Sequence, residues 1–398
     1  MFHDPTMLRQ HYCRHEMMNS PKSKYNNRRI RRGSAVVLGL FLTSSLIVLL
    51  AISLDFGFIV VSQAEVRRSA DAAAMAACWE LFEQQNNSPA YATVNGPVRN
   101  AATSVAALNS INQTAPSIGS SSNDLAIGNY TFANGGQFST SLTYGANAVR
   151  VRLARQSDLN GEVPLFFGAI TSRNSQSLQQ YSVAAMINNI KGFYTPATST
   201  ETVQILPIAL DLGTWQSVVA GSTTDSFCYT QNQVSSGSDG FYECNLYPQG
   251  TGSPGNRGTV DIGGQNNSTA DLSRQVRDGI SRQDFLDLGK PLEFDQNGVL
   301  TLNGDTGISA GIKDDLASIV GQKRMIPIYT TVSGNGNNAM YMIVRFEGVR
   351  ILDVKLTGSM STKRVTIQPA KMIARYAILS TQGGFTSDYL VSPVMIVE

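Results

Sequence analysis

The chain has 398 residues, 42% of them apolar, which is enough material for two or three packed modules and argues against a disordered polymer. Its 31 basic and 29 acidic residues nearly balance, yet Arg9, Arg14, Lys22, Lys24, Arg28, Arg29, Arg31 and Arg32 crowd the start against only Asp4 and Glu16, so the remaining body is mildly acidic. A body without a broad positive field excludes nucleic acid as its partner.

From Ser34 to Leu54 the chain carries no charge over 21 residues. At about 1.5 Å per residue this covers a hydrocarbon core of roughly 30 Å, and it predicts a transmembrane helix. Arg28, Arg29, Arg31, Arg32 and Gly33 precede it directly, so the positive-inside rule places residues 1–33 in the cytoplasm and everything after Asp55 outside. A cleaved signal peptide would have an apolar core of only about 7–15 residues, so this run is expected to be a signal-anchor, with cleavage at Ala51-Ile52-Ser53 the competing reading. Asp55 is the one charge between Ser34 and Ala64. At the outer interface it bounds the span; deeper in the bilayer it would need a partner such as another subunit.

The pattern beyond Asp55 lacks proline and is dense in helix formers, so the same helix is expected to continue to about Gln84. Ala64, Ala72, Ala73, Ala76 and Ala77 give it a small-residue face that another helix or a sheet can approach closely. Asn86-Asn87-Ser88-Pro89 ends it, and a second alanine-rich helix is expected over 98–109, opened by Pro97.

The period then changes from helical to alternating. In Val149-Arg150-Val151-Arg152-Leu153 the apolar residues share one face, the signature of a half-buried strand. Strands are also expected over 125–132 and 179–187, with a short helix over 163–170. The plan is a long helix packed on a small antiparallel sheet, which is pilin-like, and it occupies 55–190. The polar stretch 191–204 reads as a linker to a β-rich mixed domain over 205–398, giving an α+β fold overall. In that second domain, helices capped by Ser268, Ser281 and Ser309 are expected to end near Asp278, Gly289 and Gly321. Asn297-Gly298 suits a hairpin turn, and strands are expected over 326–332, 339–346 and around Leu352, Val354 and Leu356.

Cys228 and Cys244 lie in one loop-rich stretch on the outer side, where an oxidising compartment permits a disulfide. Cys13 is a cytoplasmic thiol and Cys78 a small buried hydrophobe. All three histidines, His3, His11 and His15, precede the span, which removes Ser-His-Asp, Cys-His and His-zinc arrangements from the outer body. Asp295-Gln296-Asn297-Gly298 lacks the further oxygen ligands of a calcium loop. The pairs Asp314–Asp315, Asp284–Asp287 and Glu80–Glu83 read as solvated helix faces. The residues predict no catalytic, metal or cofactor site and no small-molecule substrate, hence a protein that is not an enzyme.

Arg31-Arg32-Gly33-Ser34-Ala35 before the apolar run, Leu54-Asp55-Phe56-Gly57 at its end, and the stretch from Arg67 to Ala77 (RRSADAAAMAA) resemble the N-terminal region of TadG-like proteins of the tight-adherence (Flp) pilus-assembly system. The stretch from Val149 to Phe167 resembles the strand and short helix that follow there. This resemblance covers about the first half of the chain. It implies a pseudopilin-like accessory component of the bacterial cytoplasmic membrane, whose partners are the bilayer, pilus-assembly or envelope proteins, and a homo-oligomer through the N-terminal helix. The sequence departs from prepilins at the fifth residue after Gly33, which is Leu38 where they have glutamate, and it contains no DxSxS metal motif of a von Willebrand type A domain. The competing reading is an exported adhesive envelope protein that uses a TadG-type anchor without a pilus role.

Overall fold

A computed structural model describes residues 32–87, 95–132, 135–141, 145–247, 257–263, 268–334, 336–381 and 384–398. Contacts within the chain divide it into two units, 1–53 and 54–398. One helix, α1 (Arg32–Asn87), runs through the division. Its first part presents Val36, Leu40, Phe41, Leu46, Ile47 and Leu49 to the surroundings, so apolar side chains point outward where a water-soluble helix would hide them.

Beyond residue 54 the helix changes character. Ser62, Val66, Ser69, Ala70, Ala73, Ala74, Ala77, Cys78, Leu81 and Phe82 are buried, recurring at spacings of three and four residues along one face. That stripe packs on α2 (Asn95–Leu108), through Val98, Ala102 and Ala106, and on one face of a sheet, through Leu125, Val149, Val151, Leu153 and Ala184. Small side chains on both helices let their backbones approach closely, while the larger ones come from the sheet.

This five-stranded sheet has the order Gln137–Ser139, Leu125–Thr131, Ala148–Arg155, Leu178–Ala185, Met395–Ile396, with every pairing antiparallel. The alternation read at 149–153 holds, with Val149, Val151 and Leu153 facing α1. Arg150 and Arg152 are half-buried on the other side, Arg152 pairing with Asp124 at 2.9 Å. The last strand comes from the far end of the sequence, so the chain returns to the sheet where it began. Asn147 seals the sheet's margin, its side chain accepting from Tyr130 N at 2.7 Å and donating to Tyr130 O at 3.1 Å.

The rest of the body is β-rich. A seven-stranded sheet runs Cys244–Asn245, Arg364–Pro369, Ala339–Lys355, Leu300–Asp305, Gly258–Val260, Ile208–Asp211, Lys323–Ser333. Its last strand pairs back onto Ala339–Lys355, closing a barrel-like ring that leaves fewer open edges. Tyr329, Tyr341, Ile343 and Leu302 belong to one core, and Ile208, Leu210, Trp215, Ile326 and Ile328 to another.

Several expected elements are present. Ser268 caps a helix over Thr269–Asp278, accepting from Asp271 N, and Ser281 forms a capping box with Asp284 ahead of a helix over Arg282–Asp287. Other expectations need correction. The strands expected at 339–346 and around Leu352 are one bulged strand, Ala339–Lys355, which is long enough to pair with different partners along its length. Asp295 to Val299 is a turn, with Gly298 at φ +76° and the Asp295 side chain accepting from Asn297 N and Val299 N, but no hairpin follows. Its flanking strands pair elsewhere, Leu292–Glu293 with Ile190–Phe193 and Leu300–Asp305 with Ala339–Lys355 and Gly258–Val260. The short helix expected over 163–170 is only Gly168–Thr171, because Val163–Pro164 is taken up in a strand pair with Ser175–Gln176. The stretch 191–204 begins inside the Ile190–Phe193 strand and contains another, Thr202–Val203.

Candidate functional site: the second half of the long helix

The polar groups that hold α1 to the body lie at three heights along it. Lowest is Asp55, only 6% exposed. Its carboxylate accepts from Phe166 N at 2.9 Å and from Phe167 N at 3.0 Å, and the Phe166 ring meets Phe58 edge-on at 4.9 Å. The partner that a buried aspartate requires is therefore a loop of its own chain.

Higher up, Asn112 donates from its side chain to Ser62 Oγ at 2.9 Å and from its backbone to Glu65 at 2.8 Å. Asn112 sits at φ +48°, a conformation that asparagine tolerates better than most residues. It places a polar clamp opposite the helix just where the buried stripe begins.

At the far end, Gln85 donates to Ala146 O at 2.8 Å and accepts from Lys371 Nζ. Lys323 donates to Asn86 Oδ1 at 2.8 Å and to Lys371 O at 2.9 Å, with its ammonium 5.7 Å from the Phe82 ring centre. Burial pushes both lysines down to about 8, and it pushes the neighbouring Cys78 thiol up to about 12. Cys78 is thus an inert packing group, as its place in the sequence indicates.

The sequence-predicted positions fare unevenly. Arg28, Arg29 and Arg31, like Cys13 and the three histidines, lie outside the described residues; Arg32 and Gly33 lie in the first turn of α1. Gly57 faces outward, with open space where a Cβ would sit as far as the described residues reach. Of the five alanines expected to form the docking face, Ala73 and Ala77 are buried in it, Ala72 and Ala76 lie at its margin, and Ala64 is exposed. The stripe is rotated from the expected one because Ser62, Val66, Ser69 and Ala70 set its lower course. Counting alanines alone could not reveal this, since buried serines are part of the pattern.

The expected Cys228–Cys244 bridge is absent, and both are free thiols. Cys228 sits on a two-stranded ribbon, Phe227–Thr230 with Gln233–Ser236, with its Sγ 3.1 Å from Ser235 Oγ. Cys244 lies in the seven-stranded sheet, opposite Ile367. Strand pairing commits the two residues to different sheets.

Elsewhere several acids are engaged. Asp284 takes both ends of the Arg274 guanidinium, at 2.6 and 3.0 Å, and Asp315 pairs with Arg277 at 2.5 Å. Glu347, fully buried, accepts from Ser387 Oγ, Asp388 N and Tyr389 N, and its burial raises it to about 8. A cleft of about 240 Å³ is lined by Glu243, Lys363, Arg364 and several hydroxyls, but Glu243 is taken up by Ser226 N and Phe227 N, and Arg364 by Asp353. Among the described residues, no group of three or more His, Cys, Asp or Glu side chains is placed to hold a metal.

These features define a class: a protein with, among the described residues, one helix long and apolar enough to cross a membrane, whose second half is also the packing spine of a folded domain. Residues 62–184, which run from the start of the buried stripe into the Leu178–Ala185 strand, match the Tad_C family model, described as Tad-like Flp pilus-assembly. This segment is similar to Tad-like pilus-assembly proteins, and it includes the stretch from Arg67 to Ala77 that carries the same resemblance in the sequence. No curated protein and no solved structure matches the chain.

Proposed function

We propose that the chain is a membrane-anchored, pseudopilin-like accessory component of a tight-adherence pilus-assembly or secretion system, with a structural and interaction role and no catalysis. One observation carries this reading. The segment that matches the pilus-assembly family is built on the same helix that is apolar enough to anchor in a membrane.

In this reading residues 1–33 are cytoplasmic, 34–54 cross the inner membrane, 55–190 form a pilin-like module and 205–398 a second extracytoplasmic domain joined through 191–204. Mild crosslinking in native membranes, followed by purification of the full chain, tests the proposal. Recovery of the secretion ATPase or other pilus-assembly proteins is the expected result. A chain recovered without them favours an exported adhesive protein on a Tad-type anchor.

A further inference from the structure

Just beyond residue 54, α1 and the loop bound to it leave a band of apolar side chains uncovered. Leu54, Phe56, Val60 and Val61 are exposed on the helix. Beside them the loop after Val163–Pro164 presents Phe166 at 71% exposure, with Phe167 and Ile170 also exposed. Proteins seldom leave two adjacent phenylalanines and an isoleucine to water without a partner for them.

The height of this loop is set by two contacts. Asp55 holds the N–H groups of Phe166 and Phe167, and Phe58 meets the Phe166 ring. Both anchor points lie within one helical turn of the end of the charge-free run. From Val163 to Ser172 the loop carries no charge, and Arg173, the first one, is exposed immediately after it.

We infer that the Phe166–Phe167–Ile170 loop is a second membrane contact, bedded in the interfacial layer of the bilayer beside its own anchor helix. The inference rests on reading 34–54 as a membrane span. Phenylalanine and isoleucine side chains bury readily at the boundary between headgroups and acyl chains, as on the apolar face of interfacial segments. An adjacent arginine suits the phosphate groups at the same depth. The Asp55 carboxylate, which would otherwise oppose burial at this level, is satisfied by two backbone donors. Its hydrogen bonds thus do two things: they remove an unpaired acid from the bilayer edge and hold the aromatic loop against it. Two contact points, a helix and a loop, would restrain the tilt of the body on the membrane, which a lone helix does not.

The test uses the full chain in phosphatidylethanolamine–phosphatidylglycerol nanodiscs, with the photoreactive p-benzoylphenylalanine placed at position 166 or, as a control, at position 79. Trp79 is exposed on α1, about 36 Å along the helix from Asp55, which holds the loop. Irradiation is expected to give a phospholipid adduct at 166 at least about tenfold more abundant than at 79. In Asp55→Asn, which keeps one acceptor oxygen but loses the charge, the adduct at 166 is expected to fall several-fold while incorporation into nanodiscs is unchanged. If the chain incorporates but position 166 captures protein instead of lipid, or captures nothing, the inference is overturned and the anchor reading stands. If the chain fails to incorporate, both are overturned.

Discussion

Lys323 donates from Nζ to Oδ1 of Asn86 at 2.8 Å, joining residues 237 positions apart. The contact fixes the end of the long helix to the start of the Lys323–Ser333 strand, and the Lys371 carbonyl shares the same ammonium group. With Lys371 buried and Lys323 half-buried, two ammonium groups meet at this junction and make it sensitive to pH.

Both lysines are held near 8 in the folded protein against 10.5 for a free lysine. Between those values the unfolded chain binds more protons than the folded one, so stability rises with pH, and below about pH 8 the whole cost of burying the charges is present. Each lysine contributes on the order of 2 kcal/mol to that rise. Thermal unfolding of the full chain in detergent micelles, followed from about pH 7 to about pH 10, should show it. Lys371→Met should be more stable than the parent at the acid end and should flatten the curve. A variant whose curve rises as steeply as the parent's would show that Lys371 is not the titrating group.

Asp55→Ala removes the acceptor for two backbone donors in the 166–167 loop. Leaving them unpaired costs about 1–3 kcal/mol locally. Hydrogen exchange measured on the reconstituted chain should accelerate at the Phe166 and Phe167 amides by roughly tenfold or more, since about 1.4 kcal/mol corresponds to that factor. The amides of Leu81 and Phe82, deep in the stripe, should be unchanged.

The position of the buried stripe can be read by overpacking. Ala77→Leu pushes a larger side chain against Val149 and its neighbours in a filled core, at a cost of about 1–3 kcal/mol. Ala64→Leu, on the exposed face, should stay within about 0.5 kcal/mol of the parent. Denaturant midpoints that fell equally in both variants would place Ala64 back in the packing face.

With Cys13 replaced by serine, a maleimide should modify Cys228 well before Cys78 or Cys244, because burial raises both of the latter thiols to about 12 and leaves little thiolate to react. Peptide mapping under non-reducing conditions should find Cys228 and Cys244 in separate peptides. A linked pair would mean that the ribbon carrying Cys228 folds back onto the sheet edge instead.

Local patterns in the sequence carry much of this molecule. An unbroken apolar run marks the anchor, the absence of proline lets its helix continue, alternation at Val149 to Leu153 marks a strand, and Ser268 and Ser281 mark helix starts, because each of these signals acts within a few residues. The stretch around Asp71, inside the segment similar to Tad-like proteins, is equally local. What tertiary structure decided involves partners distant along the chain: Asp55 with Phe166, Lys371 with Gln85, the final strand with Leu178–Ala185, and the separation of Cys228 from Cys244. Hydrogen-bond acceptors and thiols look alike in a sequence whatever they will meet, and only strand pairing and helix rotation bring a particular pair together. For that reason the existence of the long helix was legible from residue types alone, while the face it buries and the loop it holds were not.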